Sequence, residues 1–405
     1  MARHTLNDCL SATFYIETKQ SLSKVAERVA EIETTANWMA QTPPSELFLQ
    51  CKGEVAEVNE VAPGKGTFTI LFPLCNMDLE RDAFASLWLS MVGGGTFALV
   101  DYEKSRLLDF SLPDWAYRYF PGPKFGIQGT RRLLGMKEKE LIIGTIVKPT
   151  SGLTPEEVAE MCYQAALAGV RFIKDDEKMM NPSYCPLAKR VKLVVERLKR
   201  AEEATGQKVL YAPHITTGPD HIKENAYIAL ENGANALMLN FFAAGFGSLE
   251  MLARDPNINV PIYAHCGGKE ALGRAEGQGV APNVVAKFAR LMGGDYFRSG
   301  IVGSYLVGSL EESKAINRAL AGDIPGIRDA VPAHSGGLGP RNIGENIAIF
   351  GLDVLYLAGS GIFSHPMGTR AGVEALAQAA EAQRLGIGLD DYARDHPELA
   401  AALAK

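Results

Sequence analysis

The sequence predicts an α/β protein: a C-terminal (β/α)8 barrel preceded by a smaller N-terminal α+β domain of ferredoxin-like type. Three observations carry this. From about residue 140 onward, short apolar runs alternate regularly with amphipathic helical stretches. The alternation yields eight strand–helix pairs over roughly 250 residues, the count and length of such a barrel. Polar or glycine-rich residues follow each apolar run, where the loops of a barrel's active face belong.

The first part of the chain mixes its patterns. Cys9–Glu17 alternates as a strand, Leu22–Ile32 repeats at helical spacing, and Leu47–Val58 and Phe68–Phe72 are rich in strand formers. Arg81–Ser90 is again helical. Strands and helices that do not alternate strictly point to an α+β unit. Tyr119-Phe-Pro-Gly-Pro-Lys-Phe-Gly126 is dense in turn formers and marks the passage between domains, which we set at 1–130 and 131–405.

In the barrel the expected strands are Leu141–Lys148, Val170–Lys174, Lys208–Pro213, Asn235–Asn240, Val260–His265, Tyr296–Ser299, Asp329–His334 and Leu352–Leu357. Helices are expected at Pro155–Ala168, Ala188–Glu203, His221–Glu231, Pro282–Leu291, Ser309–Ala319, Ile343–Ile349 and Gly372–Gln383, with a short one before Arg254–Asn259. An open doubly wound sheet would need an early G-x-G-x-x-G turn, and none follows the first of these strands.

The 405 residues carry 41 basic against 47 acidic side chains, a net charge of −6, with 47% hydrophobic residues. No basic run offers a nucleic-acid or anionic-membrane surface. The opening Met1–Asp8 has no apolar core of the kind a signal peptide needs, and no run approaches a membrane span. Six scattered cysteines without a C-x-x-C pair fit reduced thiols, so a cytoplasmic protein is expected.

The strand ends carry the chemistry. Phe172-Ile-Lys174-Asp-Asp176-Glu177 places Lys174 and Asp176 on one face and Asp175 on the other. Glu177 stands at the start of the loop, free to turn toward the same site. Two carboxylates with few nitrogen or sulfur ligands suit a hard cation such as Mg²⁺. Lys174 beside them is either an ammonium paired with the carboxylates or an amine that has captured CO₂ as a carbamate. A solvated surface ion-pair cluster is the plain alternative.

Lys148-Pro149, Lys174-Asp-Asp-Glu177, Ser335-Gly336-Gly337 and Gly359-Ser360-Gly361-Ile-Phe-Ser-His365 occur in this order. In motif, order and strand position the chain resembles the large subunit of ribulose bisphosphate carboxylase (RuBisCO). The resemblance implies a homodimer or an assembly of dimers, and a Mg²⁺ site made by carbamylated Lys174 with Asp176 and Glu177. It implies a substrate phosphate on the backbone of Ser335–Gly337 and Gly359–Gly361, Lys148 and Lys174 as proton-moving groups, and His265 beside the metal.

The departures point away from carboxylation. Thr150, Tyr305 and Cys266 replace two lysines and an arginine that the family's carboxylases use for CO₂ and the second phosphate, and Pro123 aligns with their asparagine. A tyrosine cannot stabilise a new carboxylate as an ammonium does, and a thiol cannot grip a phosphate bidentately. Arg298 stands where the family has histidine and could hold a substrate carboxylate. The chain is similar to RuBisCO-like proteins, some acting on 3-oxo sugar-acid phosphates and others on methylthio-ketose phosphates of methionine salvage. The favoured expectation is decarboxylation of 3-oxo-isoapionate 4-phosphate or a relative, with transcarboxylation or hydrolysis of it on the same residues. The alternatives are a methylthio-ketose 1-phosphate enolase or isomerase, whose apolar pocket Phe241, Phe242 and Tyr305 would line, and a non-catalytic regulator. His214 stands between a structural and a site role. His365 and Trp38 read as structural, and Glu33 and Asn37 are the candidates to reach a neighbouring site.

Overall fold

The computed structural model describes residues 4–39 and 42–404. The first three residues of the opening segment read above as free of a targeting signal lie outside it. The chain divides into two compact units, residues 1–121 with 268–292 and 323–327, and residues 122–267 with 293–322 and 328–405. The first break, at 121/122, lies within the turn-rich segment Tyr119–Gly126 and just before the helix Gly126–Leu134. Ile127 and Leu134 on that helix pack into the apolar core of the barrel.

In the first unit, strand β1 (Cys9–Glu17) lies centrally and the helix Leu22–Ile32 follows it, both as the sequence predicts. That helix buries Leu22, Val25, Ala26, Val29 and Ala30 at i, i+3, i+4 spacing. The expected strand at Leu47–Val58 is corrected: Ser45 caps a short helix, Glu46–Cys51, by accepting from Phe48 N. The strand β2 (Glu54–Ala62) starts only after it and pairs with β3 (Lys65–Pro73). A fourth strand, β4 (Lys104–Ser111), was not anticipated, because its polar residues hide the alternation.

The second sheet begins with β5 (Ile142–Ile146), β6 (Phe172–Lys174), β7 (Leu210–Ala212), β8 (Leu237–Asn240) and β9 (Ile262–His265). A two-residue strand, β10 (Gly279–Val280), instead joins β4 in the first unit. The first sheet therefore runs β10-β4-β1-β3-β2, its last four strands in ferredoxin-like order. Strands β11 (Tyr296–Ser299), β12 (Val331–His334) and β13 (Leu355–Ala358) complete the second sheet.

That sheet runs β7-β6-β5-β13-β12-β11-β9-β8, all parallel, and its eight strands fall within the eight expected segments, β13 reaching one residue further. Met238 N donates to Pro213 O and Ile215 N to Met238 O, both at 3.0 Å, which closes β7 against β8 into a barrel. Side chains alternate strictly. Ile142, Phe172, Leu210, Met238, Tyr263, Tyr296, Val331 and Leu355 form the interior core. Two residues further toward the C-terminal end, the same inward face reaches Lys174 on β6, Asn240 on β8, His265 on β9 and Arg298 on β11, while on β7, β12 and β13 it still carries the apolar Ala212, Ala333 and Leu357.

The outward face is equally constrained beside β6. Asp175 and Arg190, on the helix Leu187–Thr205, are both fully buried and paired at 3.1 Å. Asp175 also accepts from Tyr211 Oη at 2.8 Å and His214 N at 3.0 Å. Arg190 donates to the carbonyls of Met180 (2.7 Å) and Cys185 (2.6 Å), tying down the loop after Glu177. Removing one partner of such a pair strands a buried charge. Arg190→Met is expected to lower the unfolding free energy by about 3–5 kcal/mol in urea titration; a loss under about 1 kcal/mol would show the pair to be dispensable.

Candidate active site

The mouth of the barrel is lined by residues that continue the inward core positions toward the strand ends. Lys148 extends the face of Ile142, Gly144 and Ile146. Lys174 and Asp176 extend that of Phe172, and His265 that of Tyr263. Arg298 follows Tyr296, Ser335 follows Ala333, and Gly359 follows Leu357. One geometric rule, the two-residue period of a strand, thus gathers residues far apart in sequence.

Lys174 is 1% exposed, and its Nζ lies 5.5 Å from the centre of the Tyr263 ring and 3.1 Å from Asp175 O. Burial pushes its ammonium down from the usual lysine range, and Lys148 adds to the push, while Glu177 and Asp176 oppose it. Asp176 is fully buried and receives Lys148 Nζ at 2.5 Å on one oxygen and Lys178 N at 2.9 Å on the other. Glu177 is partly exposed, its Oε2 3.7 Å from His265 Nε2. Gly267 N donates to His265 Nδ1 at 3.2 Å, which leaves the imidazole proton on Nε2, toward Glu177. Burial, then the charges of Lys174 and Arg298, hold His265 well below the ordinary histidine range, so it is neutral.

The two glycine turns also meet. β12 and β13 are neighbours, with His334 opposite Tyr356. A Cβ on Gly361 would lie 2.5 Å from Leu338 O, so the second turn packs on the backbone just after the first. Gly336 and Gly337 adopt φ of 102° and 100°, open to glycine and strained for other residues. The loop after β11 rests on them. Ser304 Oγ donates to Gly336 O at 2.8 Å, and a Gly337 Cβ would stand 3.0 Å from the Tyr305 ring.

Sequence reasoning missed the side chains that fasten this loop. Asn346 Oδ1 accepts from Val302 N at 2.9 Å, and Asn342 Nδ2 donates to Gly337 O at 3.1 Å. Their i, i+4 spacing on the helix Pro340–Phe350 was the available signal.

Other candidates are placed differently. Phe241 is fully buried in a cluster with Phe242 and Phe246, with ring centres 5.0 and 5.1 Å away, and also meets Phe297 on the outward face of β11. It is not available to line a substrate pocket, which corrects that part of the methylthio expectation. His365 donates to Glu398 O at 2.9 Å and accepts from Met367 N, a structural role. Trp38 donates to Thr42 O and packs on Phe48, in keeping with its structural reading. Asn37 is exposed. Glu33 folds against its own glycine turn, where a Cβ on Gly94 would collide with its carboxylate, and burial raises its pKa.

His214, by contrast, lies inside the barrel. Its ring is 2% exposed, and neither ring nitrogen has a hydrogen-bond partner. Burial and the charges of Lys174 and Arg190 lower its pKa to about 3, so it too is neutral. Among the described residues no three His, Cys, Asp or Glu side chains form a ready-made metal cage. Asp176 and Glu177 give a divalent cation two oxygen donors, and an oxygen-bearing group on Lys174 would give the third. The orphaned imidazole of His214, near enough to feel the charge of Lys174, suits such an addition. The residues present therefore fit a Mg²⁺–carbamate centre.

Residues 126–405 match the ribulose bisphosphate carboxylase large chain, catalytic domain, and residues 5–116 match its N-terminal domain. The chain belongs to this family. It is 35% identical to the 3-oxo-isoapionate-4-phosphate decarboxylase of Rhizobium rhizogenes, over 98% of each chain. Its structure resembles the octameric RuBisCO of Pyrococcus horikoshii OT3 with a TM-score of 0.91 at 29% identity, covering 100% of this chain and 94% of that one. It resembles a rubisco-like protein (MtnW) of Alicyclobacillus acidocaldarius with a TM-score of 0.87 at 30% identity, covering 98% and 99%. Within this RuBisCO-family fold, the left-handed backbone at the first glycine turn is a stability requirement. Gly337→Ala is expected to cost about 1–3 kcal/mol, read as a lowered melting temperature; an unchanged melt would show that the turn and the Tyr305 loop yield freely.

Proposed function

We propose that this chain is a Mg²⁺-dependent, non-carboxylating enzyme that decarboxylates 3-oxo-isoapionate 4-phosphate or a close relative through an enediolate. The observation that carries the reading is the position of Lys148. Its ammonium is held 2.5 Å from Asp176, while a Cβ on Gly359 would stand 3.4 Å from its Cγ. The lysine thus lies between the carboxylate set and a glycine turn suited to a phosphate. The relationship to the Rhizobium decarboxylase supports the choice of substrate.

Lys174, as a carbamate, with Asp176 and Glu177 would hold the Mg²⁺, which when bound supplies positive charge to polarise the substrate's carbonyl and hydroxyl oxygens. The backbone N–H groups of Ser335–Gly337 and Gly359–Gly361 seat the phosphate. Arg298, inward on β11, pairs with the substrate carboxylate. The bond between that carboxylate and its α-carbon breaks, CO₂ departs, and the electron pair remains as the enediolate. Lys148 then delivers its proton to the carbanionic carbon. His265, its Nε2 3.7 Å from Glu177 Oε2, stands beside the carboxylate set. Tyr305 and Cys266 bear no cation at the two positions where the family's carboxylases carry a lysine for CO₂ and an arginine for the second phosphate. The octameric Pyrococcus relative supports assembly as a dimer or higher. No helix among the described residues is long and apolar enough to cross a membrane.

An enolase or isomerase of methylthio-ketose phosphates is the second reading, favoured by the likeness to the Alicyclobacillus protein. Proton and phosphorus NMR in D₂O, with Mg²⁺, bicarbonate and 3-oxo-isoapionate 4-phosphate, separates the two. A deuterated tetrulose phosphate is expected, and Lys148→Met should lower its rate by about 10²–10⁴-fold. An unchanged spectrum from folded, metal-bound protein would overturn the decarboxylase reading and send the search to methylthio-ketose phosphates. Glu177→Gln should weaken Mg²⁺ binding in calorimetry at least tenfold; wild-type affinity would remove Glu177 from the ligand set.

A further inference from the structure

His214 is a buried polar side chain without a partner, in a place where the fold leaves little freedom. Its backbone forms the seam that closes the barrel, bridged to Met238 on β8, and its amide is fixed by Asp175 Oδ2 at 3.0 Å. Lys174 stands opposite Ala212 in the parallel register of β6 and β7. His214, two residues beyond Ala212, therefore occupies the next inward position on the strand beside Lys174. Its bridge partner Met238 faces the barrel core, and residues paired in a parallel register share a face, so the His214 ring is turned inward as well. An imidazole N–H buried without an acceptor costs free energy that folding would otherwise avoid. Such a group is retained where something absent from the bare polypeptide accepts from it.

We propose that His214 donates its ring N–H to the carboxylate of a carbamate on Lys174, and so acts as the positioning residue that makes Lys174 a site of CO₂ addition. This rests on the carbamate reading of the preceding subsection. In the addition, the Lys174 ammonium first loses a proton to solvent. The Nζ lone pair then attacks the carbon of CO₂, an N–C bond forms, and one C–O π pair moves onto oxygen. A second proton leaves nitrogen for solvent, so Lys–NH₃⁺ and CO₂ give Lys–NH–COO⁻ and two protons. A neutral carbamate nitrogen with an anionic carboxylate replaces the buried cation. One of its oxygens faces the cation side with Asp176 and Glu177, and the other finds the His214 N–H. His214 satisfies that second oxygen with a neutral donor, which leaves the negative charge for the metal.

The test uses the full-length protein and ¹³C-bicarbonate, with the carbamate signal read by ¹³C NMR and Mg²⁺ affinity by calorimetry, both independent of turnover. Wild type should give a saturable carbamate signal that Lys174→Met lacks. His214→Leu, similar in bulk and folded by circular dichroism, should need about tenfold or more CO₂ for half-saturation and bind Mg²⁺ more weakly. His214→Asn, which restores an N–H donor, should recover most of both. Equal CO₂ uptake by wild type and His214→Leu overturns the role of His214 and leaves the carbamate reading intact. If His214→Leu does not fold, His214→Asn set against His214→Asp decides, since a carboxylate repels the carbamate where an amide donates to it. Equal uptake by those two also overturns the proposal. A wild type indistinguishable from Lys174→Met removes the carbamate and this inference together.

Discussion

The two-residue period of the barrel strands is the constraint on which everything else depends. Each strand must turn one row of side chains into a dry core, and the same parity then decides which residues face the mouth. At β6 the parity is locked from behind. Asp175 and Arg190 form a fully buried ion pair on the outer face, so Lys174 and Asp176 on either side of Asp175 must point inward. A slip of one residue would bury Asp176 against the helix layer and leave Arg190 unpaired, at a cost of several kcal/mol.

The packing of this centre has an electrostatic logic. Lys174, His214 and His265 are three basic groups taken out of water within one barrel, and burial lowers the pKa of each. A site that disfavours imidazolium and ammonium together, yet keeps Asp176 and Glu177 beside them, favours added positive charge from a metal and added oxygen from an anion. Lys148, partly exposed, is paired with the buried Asp176.

Much of this was legible in the sequence, for a physical reason. Barrel strands are buried on both faces and read as short apolar runs, so all eight were found. Their ends were polar enough to mark Lys148, Lys174, Asp176, Glu177, His265 and Arg298 before any coordinates. What was missed is what periodicity cannot show. A single Ser45 cap converts an apolar stretch into the helix Glu46–Cys51. The pairing of the two-residue strand at Gly279 with β4 is set by register alone. Phe241, which reads as a pocket wall, is claimed by aromatic neighbours on the outer face. That the His214 ring lacks a partner is a property of its surroundings and leaves no trace in composition.

The first and last barrel strands, β5 and β13, are neighbours in the sheet although Thr145 and Ala358 are separated by 213 positions. Lys148 at the end of the one and Gly359 beyond the other thus come from opposite ends of the second unit. A chain emerging from the ribosome can form the carboxylate cluster from β6 early, from contacts local in sequence. It acquires the lysine's full surroundings only when its final strand docks, since contacts of such long range form late. Completion of synthesis is in this sense a condition for the assembled mouth: a chain that lacks β13 can display the acidic half of the centre but not the glycine turn that stands against Lys148.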